Sequence, residues 1–253
     1  MGNKIAYITG ATSGIGEASA IKLASEGFDL IITGRREERL ETLKNKLISK
    51  YNIAILTQNY DVTKREEVEA AIHSLPTQWK QIDILVNNAG LASGLNTIYE
   101  GDINDWEKMI DTNIKGLLYV TRTLAPILIE NNKGHIVNIG SIAGKEVYAN
   151  GNVYCSTKFA VDALSKAMRL EFSKFPIKVT SINPGAVETE FSIVRFHGDE
   201  DRAKTVYEGY DNLLAEDIAD AIWYVVSRPA RVNINEMIVM PTAQPMAGVI
   251  NRK

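Results

Sequence analysis

Cysteine is almost missing from this chain: Cys155 stands alone among 253 residues. An internal disulfide is therefore impossible, and a reducing compartment, the cytoplasm, is expected. Histidine is nearly as scarce. His73, His135 and His197 are scattered without metal-ligand spacing, which argues against a metal centre. No run of Lys or Arg interrupts a formal net charge of -3, so a polyanion-binding surface for nucleic acid is not expected. No apolar stretch approaches the ~18 residues that span a bilayer. The opening "MGNKIAYITG" turns strand-like within a few residues and leaves no room for a secretory leader. It begins Met-Gly, but Ala6 occupies the place where a myristoylation motif needs Ser or Thr.

What is present is regular. Apolar runs at 4–9, 28–33, 53–58, 82–87, 135–140, 177–182 and 236–240 read as strands. Their near-continuous Ile, Val and Leu content suits a parallel sheet buried on both faces. Helix-like segments lie between them at 15–26, 37–49, 64–74, 102–129, 152–174 and 216–227, with Asp102 and Asp217 near candidate starts and Gly27 just past an end. This alternation predicts one α/β domain over 1–253, a doubly wound parallel sheet of about seven strands with helices on both faces. Residues 91–101 and 186–210 read as long polar loops after strands. Such segments build the binding crevice of an open α/β sheet, and the second is long enough for a lid.

"ITGATSGIGEAS" carries Gly10, Gly14 and Gly16 between the first strand and first helix. Glycines there let backbone approach a phosphate at the helix N-terminus. No Lys-Ser/Thr comes after them, which removes a nucleotide triphosphatase loop. A dinucleotide fold that uses NAD ends its second strand in a carboxylate that bonds the ribose. Here the strand ends "ITGRREERL", and Arg35 and Arg36 hold the corner. Two guanidiniums suit a 2′-phosphate and favour NADP. The competing explanation is a basic turn answered by Glu37 and Glu38.

"NVYCSTKFA" sets Tyr154 and Lys158 one helical turn apart. They could be a surface pair, the Lys stem lying along the ring. Alternatively the cation favours phenolate, pulling an ordinary pKa of about 10 toward working pH and making Tyr154 a proton carrier. Ser141 falls just beyond the fifth strand. Asn113 sits on a helical stripe with Trp106, Met109, Ile110 and Leu117, where a polar side chain is costly unless it finds partners.

Taken together, the Gly-x-x-x-Gly-x-Gly spacing of 10–16, "NNAG" at 87–90, Asn113, Ser141, "YCSTK" at 154–158 and "NPG" at 183–185 resemble the short-chain dehydrogenase/reductase family. The resemblance covers almost the whole chain and implies a Rossmann-like fold. It implies that Tyr154 is the acid/base, that Lys158 lowers its pKa and holds the nicotinamide ribose, that Ser141 bonds the reacting oxygen, and that Asn113 supports a proton-relay water. It assigns the cofactor to Gly10, Thr12, Ser13, Gly14, Ile15 and Gly16, to Arg35 and Arg36, and to Asp61 and Val62 flanking adenine. Asn88, Ala89 and Gly90 complete that site with Pro184, Gly185, Val187 and Thr189, residues 184–192 covering the nicotinamide.

Within the family, "NNAGLASG", "GHIVNIGSIAG", "TEFSIVRFHGD" and "VNINEMIVMPTAQ" look like the bacterial and yeast NADP-dependent 3-hydroxy acid dehydrogenases. That likeness implies a small substrate such as serine, allo-threonine or 3-hydroxypropionate. Arg195 is the candidate for its carboxylate; the other outcome for Arg195 is pairing with Asp199, Glu200 or Asp201. A general carbonyl or ketoacyl reductase is the alternative activity, and a non-catalytic NADP sensor the alternative class. The apolar content of 102–129 and 152–174 leaves room for a second buried face, and the family often forms tetramers, so a homo-oligomer, a tetramer favoured, is expected.

Overall fold

The computed structural model describes residues 3–253; the Met-Gly start lies outside it. The first half alternates β1 (Ile5–Ile8), α1 (Gly14–Ser25), β2 (Asp29–Gly34), α2 (Glu37–Lys50), β3 (Ile55–Asn59), α3 (Arg65–His73) and β4 (Ile82–Asn87). Next come α4 (Ile103–Ile110), a π-helical turn at Asp111–Gly116, α5 (Leu117–Glu130), β5 (Gly134–Ile139), α6 (Asn152–Glu171) and β6 (Ile177–Pro184). The rest is β7 (Val187–Glu188), α7 (Phe191–Arg195), α8 (Glu200–Thr205), β8 (Leu213–Leu214), α9 (Ala215–Val226) and β9 (Glu236–Val239).

Seven strands form one sheet in the order β3-β2-β1-β4-β5-β6-β9, and every pairing is parallel. Alternate residues of a strand face opposite sides. Ala6 and Ile8 join Leu23, Leu30, Leu40 and Ile222 in a core under α1, α2 and α9. Ile5 and Tyr7 join Leu85, Val120, Leu124 and Val161 in a second core under α3, α5 and α6. The chain order reverses between β1 and β4, so the connections there run to opposite faces and leave a crevice at the strand ends. Helix ends obey local chemistry. The Asp102 carboxylate accepts the Asn104 N–H at 2.8 Å, Asp217 accepts the Leu214 N–H at 2.8 Å, and Gly27 takes a φ of +81° beyond α1.

Two expectations need correction. Residues 102–129 are not one uniform helix, because the π turn inserts an extra residue and rotates α5 relative to α4. Met109, Asn113 and Leu117 of the predicted stripe are buried and Trp106 packs against buried residues, whereas Ile110, at 37% exposure, falls off it. Residues 186–210 are not a structureless loop either. They hold β7, α7 and α8, anchored by buried Ser192, Phe196 and Ala203, and β7 pairs in parallel with β8. So few inward residues give hardly any periodic signal, which is why the segment reads as polar loop.

Candidate active site

A cleft of about 320 Å³ opens at the carboxyl ends of β1, β4, β5 and β6. Its floor is the loop from β1 into α1: Gly10, Thr12, Ser13, Gly14 and Ile15 line it. Only glycine permits that path. Gly10 and Gly14 hold φ of +67° and +54°, and a Cβ on Gly16 would overlap the Gly10 carbonyl and the Asn88 amide. Gly16 thus packs beneath the loop and does not line the cleft. Asn88 lines the cleft and clamps the same loop, its Nδ2 donating to the Thr9 and Gly10 carbonyls at 2.9 and 3.1 Å.

The basic corner lies at one end. Arg35, Arg36, Asp61 and Val62 all line it. Arg36 does not answer Glu37 or Glu38. Its Nε and Nη2 donate to Thr12 Oγ1 at 3.0 and 2.9 Å, and Nη2 also reaches Ser13 Oγ at 2.7 Å. Arg35 extends into solvent, 3.8 Å from Asp61. Sequence reasoning missed two residues here. Arg39 and Glu190 meet at 2.7 Å, and Glu190 also bonds Arg36 at 2.8 Å. Arg39, in the first turn of α2, had a signal in its helical spacing from Arg36; Glu190, more than 150 residues away, had none.

At the other end stand Ser141, Tyr154 and Lys158, with Ala89, Gly90, Pro184, Gly185, Val187 and Thr189 along the walls. Ser141 leaves β5 in extended backbone and caps a short 3-10 turn, accepting the Ala143 N–H at 3.1 Å. A Cβ on Gly144 would strike the Lys158 carbonyl, so that glycine lets the turn press against α6. Lys145 fixes the approach with Asp162 of α6 at 2.5 Å and Glu236 of β9 at 2.7 Å. Asn113 lies behind this wall. Its amide donates to the Leu91 carbonyl at 2.8 Å and Thr157 Oγ1 at 3.0 Å, and its oxygen accepts the Leu91 N–H at 2.9 Å. It props the loop after β4 instead of facing the cleft.

The electrostatics correct a further expectation. Tyr154 is 8% exposed, and burial pushes its phenol well above the ordinary value, against the opposing pull of Ser141 and Arg195. The nearby Lys158 therefore does not bring Tyr154 toward working pH in the protein alone. The Lys158 Nζ donates to the Ile139 carbonyl at 2.9 Å, and burial pulls its own pKa down to about 8. Arg195 pairs with none of Asp199, Glu200 and Asp201. It turns inward, donating to Tyr148 Oη at 2.7 Å with its guanidinium 5.3 Å from the centre of the Tyr154 ring. It lines a small side cavity with Ser93, Asp105 and Tyr154. Phe191 meets Tyr154 edge-on at 5.7 Å.

Among the described residues no cluster of His, Cys, Asp and Glu could hold a metal ion, and no helix is long and apolar enough to cross a membrane. Comparison with known proteins agrees with the geometry. The NADP-dependent 3-hydroxy acid dehydrogenase YdfG of Salmonella typhi is 48% identical over 246 residues, 97% of this chain and 98% of that one. The NADP-dependent 3-hydroxy acid dehydrogenase of Schizosaccharomyces pombe is 41% identical over 251 residues, 99% of this chain and 97% of the relative. A closed form of serine dehydrogenase complexed with NADP⁺ superposes with a TM-score of 0.92 at 45% identity, covering 98% of this chain and 99% of the other. The short chain dehydrogenase family matches residues 4–199, and the chain belongs to that family.

Proposed function

We propose that this protein is an NADP-dependent oxidoreductase acting on the CH–OH group of a small 3-hydroxy acid, serine, allo-threonine and 3-hydroxypropionate being of the right kind. One observation carries the reading: Ser141, Tyr154 and Lys158 share one wall of a cleft whose far end is a glycine loop beside Arg35 and Arg36. The residues fit the cofactor, since the glycine backbone leaves room for a pyrophosphate at the start of α1 and β2 ends without a carboxylate. NADP, when bound, accepts or supplies the hydride.

The chain's own work is at the substrate oxygen. Tyr154 moves the proton there, and the Ser141 hydroxyl donates a hydrogen bond that stabilises charge developing on it. Lys158 places a buried cation on the same wall. Asn113 holds the loop that carries Gly90 and Leu91 against α6. Arg195, behind Tyr154, supplies the positive charge that a substrate carboxylate needs. That Ser141, Tyr154 and Lys158 are all in place favours an enzyme over a non-catalytic sensor.

We read residues 1–253 as a single domain with a lid at 186–210, and the protein as a cytoplasmic homotetramer. Exposed Leu118 and Phe159 on α5 and α6, and Leu170 at 78% exposure, support an assembly through those helices. Steady-state kinetics on a panel of small 3-hydroxy acids with NADP⁺ and NAD⁺ tests the activity. Serine should be oxidised with NADP⁺ far better than its decarboxylated analogue ethanolamine. If uncharged alcohols or ketones outperform every hydroxy acid, a general carbonyl reductase replaces this reading.

A further inference from the structure

Glu190 stands between β7 and α7, on the side of the cleft opposite α2, yet its carboxylate reaches across. The two oxygens are divided between two guanidiniums, Oε2 accepting from Arg36 at 2.8 Å and Oε1 from Arg39 at 2.7 Å. Just beneath, a Cβ on Gly14 would touch Thr189 at 3.2 Å, so this crossing lies directly over the phosphate loop. The three charged side chains are 40–49% exposed, which leaves the cluster open to a solute. Arg36 meanwhile keeps its Nε and Nη2 on Thr12 and Ser13.

Two guanidiniums fixed around one carboxylate form a preorganised anion site already filled from within. A phosphate monoester carries nearly twice the charge of a carboxylate and one more acceptor oxygen, so it competes well for the same two arginines. An unphosphorylated ribose does not. Its hydroxyl can only donate to a carboxylate, the bond that NAD sites make with the acidic residue ending β2, and β2 here ends at Gly34.

Resting on the NADP reading above, we infer that Glu190 is an internal competitor for the 2′-phosphate and a determinant of cofactor specificity. It occupies Arg36 and Arg39 and offsets one of their two charges until the phosphate displaces it, and Arg39 joins Arg36 as a phosphate ligand. The discrimination against NAD is then smaller than the arginines alone would give, because the phosphate must first evict the carboxylate.

Calorimetric titration of the unaltered protein, Glu190→Gln and Arg39→Gln tests this, with adenosine 2′,5′-bisphosphate, 5′-AMP, NADP⁺ and NAD⁺ as ligands at low and high salt. Glu190→Gln should tighten the bisphosphate and NADP⁺ by about 3- to 10-fold at low salt, a gain that shrinks as salt screens it. Neither 5′-AMP nor NAD⁺ should tighten comparably. Arg39→Gln should weaken the two 2′-phosphorylated ligands selectively. Unchanged or weaker bisphosphate binding by Glu190→Gln, or equal tightening of all four ligands, overturns the inference. A preference for NADP⁺ in the unaltered protein, kept at the same size in Glu190→Gln, leaves the cofactor reading standing and removes only the role of Glu190. Equal affinity of the unaltered protein for NADP⁺ and NAD⁺ overturns both.

Discussion

The Arg195 guanidinium lies 5.3 Å from the centre of the Tyr154 ring, nearer than the Lys158 ammonium at 5.9 Å. The two cations approach from different elements, α7 and α6. Tyr148 accepts a hydrogen bond from Arg195, and the Gly94 N–H donates to the Arg195 carbonyl at 2.9 Å, so Arg195 is held through both its side chain and its backbone. Arg195 thereby gains a second task beside the substrate binding proposed for it, because a cation near the ring favours phenolate.

Arg195→Ala should show both tasks. Loss of the cation raises the Tyr154 pKa, so the rising limb of the pH–rate profile for alcohol oxidation, where phenolate is the base, moves to higher pH. KM for a 3-hydroxy acid should rise roughly tenfold, with less effect on uncharged alcohols. Rate profiles measured across pH for both substrate types check this. An unchanged limb and an unchanged KM would return Arg195 to a purely structural contact with Tyr148.

Tyr154→Phe keeps the ring and its edge contact with Phe191 but removes the transferable proton. Turnover should fall about 10²–10⁴-fold, while NADP⁺ affinity, read by calorimetry, changes little. Near-normal turnover in this variant would sink the acid/base assignment.

Lys158 trades stability for function. Burial lowers its pKa from the ordinary 10.5 to about 8. Below pH 8 both folded and unfolded chains carry the proton, and the folded state bears the whole cost of a buried ammonium. Between 8 and 10.5 only the unfolded chain binds it, so stability rises with pH; above 10.5 the cost is gone. Lys158→Met should abolish activity yet raise stability near pH 7 by about 1–2 kcal/mol, roughly 2–8 °C in Tm. That advantage should vanish toward about pH 10, which thermal melts at the two pH values would reveal.

Asp162 tests the coupling between the Ser141 turn and α6. Burial alone would raise its carboxyl, but the Lys145 and Lys166 ammoniums hold it below the ordinary value. Its contribution is therefore present above the usual carboxylate range and is lost as pH falls through its depressed value. Asp162→Asn should cost about 2–3 kcal/mol by leaving Lys145 partly unpaired. It should lower kcat more than NADP⁺ affinity, since the cofactor corner lies at the other end of the cleft. Chemical denaturation together with kinetics separates the two effects.

Much of this protein was legible residue by residue. The strands and helices come from period and punctuation, because a sheet buried on both faces demands unbroken apolar runs. The loop at Gly10 comes from the steric freedom that only glycine has. The pairing of Tyr154 with Lys158 comes from one helical turn of spacing, and a phosphate preference from the absence of a carboxylate ahead of Arg35. Local rules suffice wherever the cause is local.

Where partners come from distant segments, tertiary structure decided. The π turn between α4 and α5, and the exposure of Ile110 just before it, depend on packing against neighbours, and no hydrophobic period encodes the inserted residue. The burial that raises Tyr154 and lowers Lys158 is a property of the assembled wall, to which β5 brings Ile139 and α7 brings Phe191. Arg195 bonds Tyr148 and not the nearby Asp199, Glu200 or Asp201 because α7 points it inward, and sequence proximity carries no direction. Glu190 bonds Arg36 and Arg39 only because a parallel sheet puts the carboxyl ends of all its strands on one edge. The chain leaving β6 thus crosses the cleft to the chain leaving β2, joining groups that the sequence keeps far apart.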